Sequence, residues 1–168
     1  LPGVGVKETK GTAKLNSLER PGMTDPKARL VDMDLEGIDQ TIMFPGGAGE
    51  EWAGLDRGFA IALCRTLNDA RAEFTRFNPK RLMSVAKLPM IDPEAAVVEL
   101  RRAVKDLGMV GMVTPQHIRD KNLDHPSFDP VWKTAEELGV AVCVHGGGQT
   151  IDQLPIGVDR WSTRLEMH

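Results

Sequence analysis

A histidine that follows a short apolar segment is the strongest candidate for chemistry in this sequence. Residues 140–144, Val-Ala-Val-Cys-Val, lead directly into His145, and glycines occupy positions 146–148. Three kinds of site match this pattern: a metal ligand, an oxyanion loop of the His-Gly-Gly-Gly type and a phosphate-binding loop. A phosphate loop needs a helix directly after the glycines, and residues 149–157 are a poor helix start. The residue types leave open whether His145 binds a metal or only hydrogen-bonds at the end of a strand.

The residues around this histidine supply candidates for substrate binding. Gly146 and Gly147 lack side chains, so a substrate could approach their backbone closely. Trp52 lies in a glycine-rich segment and is either a platform for a substrate or an anchor for its loop. His117 and His125 are eight residues apart, which is not a usual spacing for two metal ligands. His117 is a candidate for facing the site, whereas His125, directly before a proline, is expected to help start a helix.

Three segments open with Asp-Pro and close with Gly, and this pattern predicts a helix in each. The Asp accepts hydrogen bonds from the first turn, and Pro fits the first helical position. The Gly ends the helix in the left-handed conformation. A fourth helix is predicted from about Leu55 to Phe77, because no Pro or Gly interrupts it after Gly58. The three capped segments are residues 25–37, 92–108 and 129–139.

Four short apolar segments alternate with these helices and are predicted to be strands. They are rich in Val, Ile, Met or Leu, and Gly or Pro bounds them. Nearly continuous apolar strands that alternate with helices are typical of a parallel sheet covered by helices, so the predicted class is α/β. The predicted strands are residues 40–44, 82–88, 109–113 and 140–144.

Two α/β folds are compatible with this alternation, a doubly wound sheet and an eight-stranded (β/α) barrel. Ligands bind at the C-terminal ends of the strands in both, which is where the segments with His117 and His145 lie. A complete barrel needs about 250 residues, so 168 residues would hold only part of one, and a doubly wound sheet suits the length better. Residues 1–24 are predicted to be a loop that follows a missing first strand, and residues 25–168 form the α/β unit. Three strand–helix units before His145 also disfavour the oxyanion loop.

Bulk composition excludes several classes of function. The 21 basic and 24 acidic side chains give a net charge of −3, without a basic cluster, which argues against nucleic-acid binding. No apolar segment approaches the ~20 residues of a membrane span, and residues 1–14 do not resemble a signal peptide. Two cysteines without metal-type spacing are expected to be reduced thiols in the core of a cytoplasmic protein.

Four segments together resemble a known family, the metal-dependent amidohydrolase-related enzymes. The branch is the one with aminocarboxymuconate-semialdehyde decarboxylase and related aromatic-acid decarboxylases. The resemblance covers roughly residues 25–150, and its most specific part is DHPSFDPVWKTAEELGVAVCVH at 124–145. The four segments are residues 29–45, 62–89, 91–112 and 122–145.

The resemblance implies a partial (β/α)8 TIM-type barrel that contains about strands two to five with their helices. The family holds one divalent metal with a His-x-His pair on the first strand, a His after the fifth and an Asp after the eighth. His145 falls at the fifth-strand position and is the expected metal ligand. Zinc is the first expectation, with manganese or iron as alternatives. The chain contains no His-x-His, and neither the eighth-strand Asp nor the catalytic His after the sixth strand can be assigned.

The function implied by this resemblance is that of a metal-dependent decarboxylase or hydrolase. It would act on a small carboxylate or aromatic acid, with Trp52, His117, Gly146 and Gly147 as substrate-binding residues and no catalytic residue assigned. The intact parent would be cytoplasmic, with a homodimer as one possible assembly, and the 168-residue chain alone would be inactive. The alternative is a self-contained doubly wound domain that binds a small ligand without a metal.

Overall fold

The computed structural model of the protein describes residues 21–45, 56–115, 117–119 and 121–145. The chain divides into two compact units, and the boundary in the sequence lies between Asp39 and Gln40. The first contains a short 3-10 helix, Pro21–Met23, and helix α1, Pro26–Glu36. Of the predicted first loop, residues 1–24, the first twenty lie outside the described residues. The 3-10 helix occupies three of the remaining four.

The caps predicted for α1 are confirmed. The side chain of Asp25 accepts a hydrogen bond from the backbone N–H of Lys27, and Pro26 takes the first helical position. Gly37 ends the helix with a φ of 71°, in the left-handed region where a side chain is strained. The local Asp-Pro and Gly signals therefore determine where this helix begins and ends.

The second unit alternates strands and helices in the predicted order. Asp92 caps α3 as predicted, by accepting a hydrogen bond from the backbone N–H of Ala95. The elements are β1 (Thr41–Met43), α2 (Arg57–Arg76), β2 (Leu82–Lys87), α3 (Pro93–Lys105), β3 (Gly111–Thr114), β4 (His117–Ile118), β5 (Lys121–Asn122), α4 (Asp129–Leu138) and β6 (Ala141–Val144).

Two local predictions between β3 and β6 are wrong. Asp129 does not cap α4 but is its first residue, because a 3-10 helix, Pro126–Phe128, leads directly into it. The segment after β3, where no strand was predicted, contains the antiparallel pair β4 and β5, in which His117 lies opposite Asn122. Strands of two residues are too short to produce an apolar alternation in the sequence.

The sheet has the order β1-β2-β3-β6, and all its pairings are parallel. Each strand therefore lies beside the previous strand of the same sheet, as in a (β/α) barrel. A doubly wound sheet instead reverses direction at a switch point, and the described strands contain no such reversal. The doubly wound alternative is therefore wrong, and these four strands form part of a barrel-type sheet.

One face of the sheet packs against helices. Ala86, Leu88 and Met112 belong to a buried apolar cluster, together with residues such as Leu100 of α3 and Val131 of α4. Because successive side chains of a strand point to opposite faces, the residues between them point away from the helices. These residues include Lys87 of β2 and Val113 of β3, which are paired in register.

The sheet is strongly curled towards this second face. Phe44 follows β1 and His145 follows β6, the two outer strands, yet their ring centroids are only 6.2 Å apart. Three strand spacings in a flat sheet would separate the outer strands by about 14 Å. The four strands therefore form a half-barrel with Phe44 and His145 at its concave side. Among the described helices, none is long and apolar enough to cross a membrane.

Candidate functional site

A solvent-open cleft lies at the C-terminal ends of the four parallel strands. Its empty volume, counted together with the space open to solvent, is about 670 Å³. Every strand of the sheet contributes a residue at or just beyond its end. The walls are largely apolar, which suits a small ring-shaped molecule. The described residues lining it include Phe44, Lys87, Leu88, Met90, Val113, His117, Ile118 and His145.

His145 lines this cleft directly beyond β6, as its position in the sequence predicts. Its backbone N–H donates to the carbonyl oxygen of Thr114 at 3.0 Å, which extends the β3–β6 pairing by one residue. Its side chain is exposed, so the imidazole is accessible from the cleft. An accessible imidazole is suited to binding a divalent ion. Within the described ranges, no group of three or more His, Cys, Asp or Glu side chains could hold a metal.

His117 lies in the same cleft, but it is buried, with only 4% of its surface exposed. Its Nδ1–H donates to the backbone carbonyl oxygen of Arg119 at 2.9 Å, since a carbonyl can only accept. Arg119 has a φ of 55°, so the tight turn after β4 brings that carbonyl back to the ring. The Nε2 atom is buried without a hydrogen-bond partner among the described residues. In the neutral ring, Nε2 therefore carries a lone pair that can accept a hydrogen bond.

His125 is not among the described residues that line the cleft. His125 caps the 3-10 helix before α4, because its Nδ1 accepts the backbone N–H of Ser127 at 3.2 Å. The prediction that it helps to start a helix is therefore confirmed. Trp52, Gly146 and Gly147 lie outside the described residues.

Lys87 is a cleft residue that the sequence analysis missed. It is the last residue of β2, is 9% exposed and lines the cleft on the concave face of the sheet. It is the only Lys, Arg, Asp or Glu among the described residues that line the cleft. The available signal was a charged residue within the otherwise apolar segment 82–88, which was interpreted only as a strand.

A buried polar network holds the backbone of Lys87. Asn68 of α2, which is 2% exposed, accepts the N–H of Lys87 and donates to its carbonyl oxygen, both at 2.9 Å. The pairing of β1 with β2 ends at Ser84, so the Asn68 amide pairs with the part of β2 beyond it. Asn68 also donates to Glu99 of α3 at 2.7 Å. Arg102 then binds both carboxylate oxygens of Glu99.

An ion pair joins the start of α2 to the start of α3. Arg57, at the start of α2, hydrogen-bonds to Asp92, the cap of α3. Burial alone would raise the pKa of Asp92, but the hydrogen bonds from Arg57 and from the Ala95 N–H hold that pKa below its usual value. Asp92 is therefore ionised near neutral pH and ties α2 to the segment that follows the cleft residue Ile91.

Comparisons with known proteins associate this geometry with one group of enzymes. The amidohydrolase family profile matches residues 13–161, which is most of the chain. The chain is 34% identical over 123 residues to a 2-amino-3-carboxymuconate-6-semialdehyde decarboxylase from Dictyostelium discoideum. That alignment covers 72% of this chain and 33% of the relative.

Two solved structures show the same strand arrangement. A 2,6-dihydroxybenzoate decarboxylase from Rhizobium superimposes with a TM-score of 0.66 and 33% identity, over 77% of this chain and 42% of its own. The second is a dihydroxybenzoic acid decarboxylase from Polaromonas, with bound manganese and the inhibitor 2-nitroresorcinol. It superimposes with a TM-score of 0.66 and 32% identity, over 73% of this chain and 39% of its own. The chain therefore spans about a third to two fifths of the length of these relatives.

Proposed function

Because the chain belongs to the amidohydrolase family, we propose that the full-length gene product containing it is a metal-dependent carboxy-lyase for a small aromatic acid. The observation that carries the proposal is the cleft at the C-terminal ends of all four strands, with His145 at its edge. The decarboxylases among its relatives favour carboxy-lyase over hydrolase chemistry. In such a reaction a proton replaces the carboxylate on the ring carbon, and carbon dioxide leaves.

His145 is the proposed metal ligand within this chain. Its accessible imidazole at the end of β6 supports this role, and the manganese in the Polaromonas relative makes Mn²⁺ the first ion to test beside Zn²⁺. A bound divalent ion would supply Lewis-acid chemistry at a substrate oxygen. Because the sequence contains no His-x-His pair, we expect the 168-residue chain alone to hold a metal weakly and to be inactive.

The cleft walls would bind and orient the ring of the substrate. Leu88, Met90 and Ile118 are buried apolar residues at the cleft and would exclude water from one side of the ring. His117 would accept a hydrogen bond from a substrate hydroxyl through Nε2, a role supported by its Nδ1–H bond to Arg119. Trp52, Gly146 and Gly147 remain predictions for substrate binding.

Location and assembly are parts of the same proposal. Cys64 and Cys143 are both free thiols, which supports a cytoplasmic location. A homodimer remains a prediction for the full-length protein, and light scattering during size-exclusion chromatography would measure it.

The experiment is to express the full-length gene product with Mn²⁺ or Zn²⁺ and to measure carbon dioxide release from 2,6-dihydroxybenzoate. The His145→Ala variant should lose bound metal, measured by elemental analysis, together with activity. His125→Asn is the matched control, because Asn can replace a capping histidine outside the cleft. Full metal content in His145→Ala would refute the assignment of this ligand, and a metal-loaded wild-type protein inactive on a panel of aromatic acids would refute the function.

A further inference from the structure

Successive residues between β2 and α3 form one wall of the cleft. This wall segment, residues 87–91, begins at Lys87, the last residue of β2, and every one of its residues lines the cleft. The next residue, Asp92, caps α3. The N–H groups of Met90 and Asp92 each donate to a carbonyl oxygen within the segment, both at 2.9 Å. The wall segment is therefore a compact turn, and its position in the cleft depends on what holds its two ends.

The first end of the wall segment is held by a side chain in the place of a strand. The carbonyl oxygen of Ser84 accepts the N–H of Val110, on the β3 side of β2, and the main-chain groups of successive residues point to alternate sides. Lys87, three residues later, therefore directs its N–H and carbonyl towards β1, whose pairing with β2 has ended at Ser84. The Asn68 amide accepts that N–H and donates to that carbonyl, both at 2.9 Å. A side chain of α2 thus supplies both bonds that a neighbouring strand would make.

Asn68 is in turn fixed by buried charge. It is 2% exposed, and its Nδ2 also donates to Glu99 of α3 at 2.7 Å. Arg102 donates to both oxygens of the Glu99 carboxylate and to Asp69 of α2. A buried amide whose donor and acceptor are both engaged is held in one orientation. The backbone of Lys87 is therefore placed by α2 and α3 together.

The second end of the wall segment is held by the same helix. Asp92 pairs with Arg57, at the start of α2, and accepts the N–H of Ala95. Arg57 and Asn68 are eleven residues apart in α2, which is about three turns, so both lie on the same side of this helix. One face of α2 therefore binds the wall segment at both ends.

We propose that Asn68 and Arg57 are positioning residues of the reaction. They hold the wall segment against the His145 edge of the cleft, and the wall then aligns the ring carbon that loses its carboxylate. This inference rests on the function proposed above and gives α2 a part in it. Neither Asn68 nor Arg57 is among the described residues that line the cleft, so both act through the wall segment.

Loss of positioning has a kinetic signature that differs from loss of stability. A wall segment that shifts is still apolar and still binds a ring, so KM should change little. The reacting bond is then misaligned, which lowers kcat. A variant that is only less stable keeps the kcat of its folded, metal-loaded fraction.

The test measures kcat and KM for carbon dioxide release by the full-length, Mn²⁺-loaded protein, with the aromatic acid that the wild type converts fastest. Rates are divided by bound manganese, so that unfolded protein does not count. We expect Asn68→Ala to lower kcat about tenfold or more and to change KM by less than about threefold. Trp132→Phe is the matched control and should keep the wild-type kcat. It removes a side-chain hydrogen bond of 3.0 Å to the Leu123 carbonyl, and neither residue lines the described cleft.

A second pair of variants decides the question if Asn68→Ala does not fold. Arg57 is largely exposed, so Arg57→Ala should fold. We expect its kcat to fall about threefold, because Asp92 keeps its bond from Ala95. Arg57→Lys keeps a positive charge beside Asp92 and should restore most of the lost kcat.

Three results would overturn the positioning role and leave the proposed function standing. The first is a wild-type kcat in every Asn68 and Arg57 variant that folds. The second is a rise in KM without a fall in kcat, and the third is a fall in kcat of Trp132→Phe equal to that of the positioning variants. A wild-type protein with bound manganese that is inactive on every acid of the panel would overturn both proposals.

Discussion

Burial controls the chemistry of Cys64 in α2. This thiol is fully buried, and burial raises its pKa to about 12, against a smaller opposing effect of the Lys87 charge. Only the thiolate is a good nucleophile, so Cys64 should be unreactive at pH 8. Iodoacetamide labelling followed by peptide mass spectrometry should find Cys64 unmodified in the native protein and modified in urea. Native labelling as fast as that of a free cysteine would show that the surroundings of α2 open in solution.

Asp92 combines a cap and an ion pair in one carboxylate. Asp92→Ala removes both, and we expect a loss of about 1–2 kcal/mol in the free energy of unfolding at pH 7. Arg57→Ala should cost less, because Arg57 is largely exposed and water weakens its pairing with Asp92. Urea unfolding of both variants beside the wild type measures these differences.

The contribution of Asp92 should depend on pH with a definite sign. Its pKa is lower in the folded protein than in the unfolded chain, so the unfolded chain takes up a proton first as the pH falls. The stabilisation is therefore complete above the unfolded pKa and is lost as the pH falls through the folded value. The difference in the free energy of unfolding between the wild type and Asp92→Ala should therefore decrease from pH 7 to pH 3. A difference that increases over this range would contradict a lowered pKa of Asp92 in the folded protein.

At the scale of elements, Asn68 links α2, α3 and the end of β2. The Asn68 Nδ2 donates hydrogen bonds to the Lys87 carbonyl oxygen and to Glu99. Both partners are acceptors, so neither could donate a hydrogen bond to a carboxylate placed at position 68. Asn68→Asp would place one buried carboxylate against another, with Glu99 only 3% exposed. We expect a loss of about 3 kcal/mol at pH 7 in chemical unfolding.

The pH dependence of the Asn68→Asp variant tests whether charge repulsion causes its loss of stability. The loss should shrink at acidic pH, because protonation of one carboxylate removes the repulsion and restores a donor. Asn122→Asp on β5 changes an exposed amide in the same way and should stay within about 0.5 kcal/mol of the wild type. A pH-independent loss in Asn68→Asp would mean that shape, and not charge, dominates at this position.

At the scale of the whole molecule, the outer strands of the half-barrel expose apolar side chains. Ile42 of β1 and Val142 and Val144 of β6 are all exposed, and the described residues leave both outer edges without a partner strand. Unpaired edges with apolar side chains promote association. We therefore expect the 168-residue chain, purified alone, to self-associate with rising concentration in light scattering.

Charge at the β6 edge should reduce this association. Val142→Lys with Val144→Lys should lower the scattering mass at equal concentration, because lysine on an edge strand opposes pairing with another chain. Val98→Lys, on an exposed position of α3, is the control and should change little. A monomeric wild-type chain with a sharp, reversible unfolding transition would contradict this prediction.

Local signals in the sequence predicted most of the elements. Asp-Pro begins α1 and α3, and Gly ends α1 and α4, as expected, since these residues act through bonds to their own backbone neighbours. Helix α3 ends at Lys105, before the predicted Gly108. The four apolar segments became the four strands of the sheet, and His145 was placed correctly at a strand end. Asp129 failed as a cap because the 3-10 helix before it takes that position, which residue types alone do not show.

The order of the strands and the face of each side chain were decided only by the tertiary structure. Sequence pattern could not separate a doubly wound sheet from a barrel, because strand pairing depends on contacts between distant residues. In the sequence, Lys87 is only part of a predicted strand. In the structure, side-chain alternation and the curl of the sheet place it in the cleft with His145. Of the site, the sequence by itself determined one histidine at the end of one strand and named His117 as a candidate. The fold placed the His117 ring in the same cleft and added the lysine and the asparagine that holds its backbone, because these groups meet only when four strands curl together.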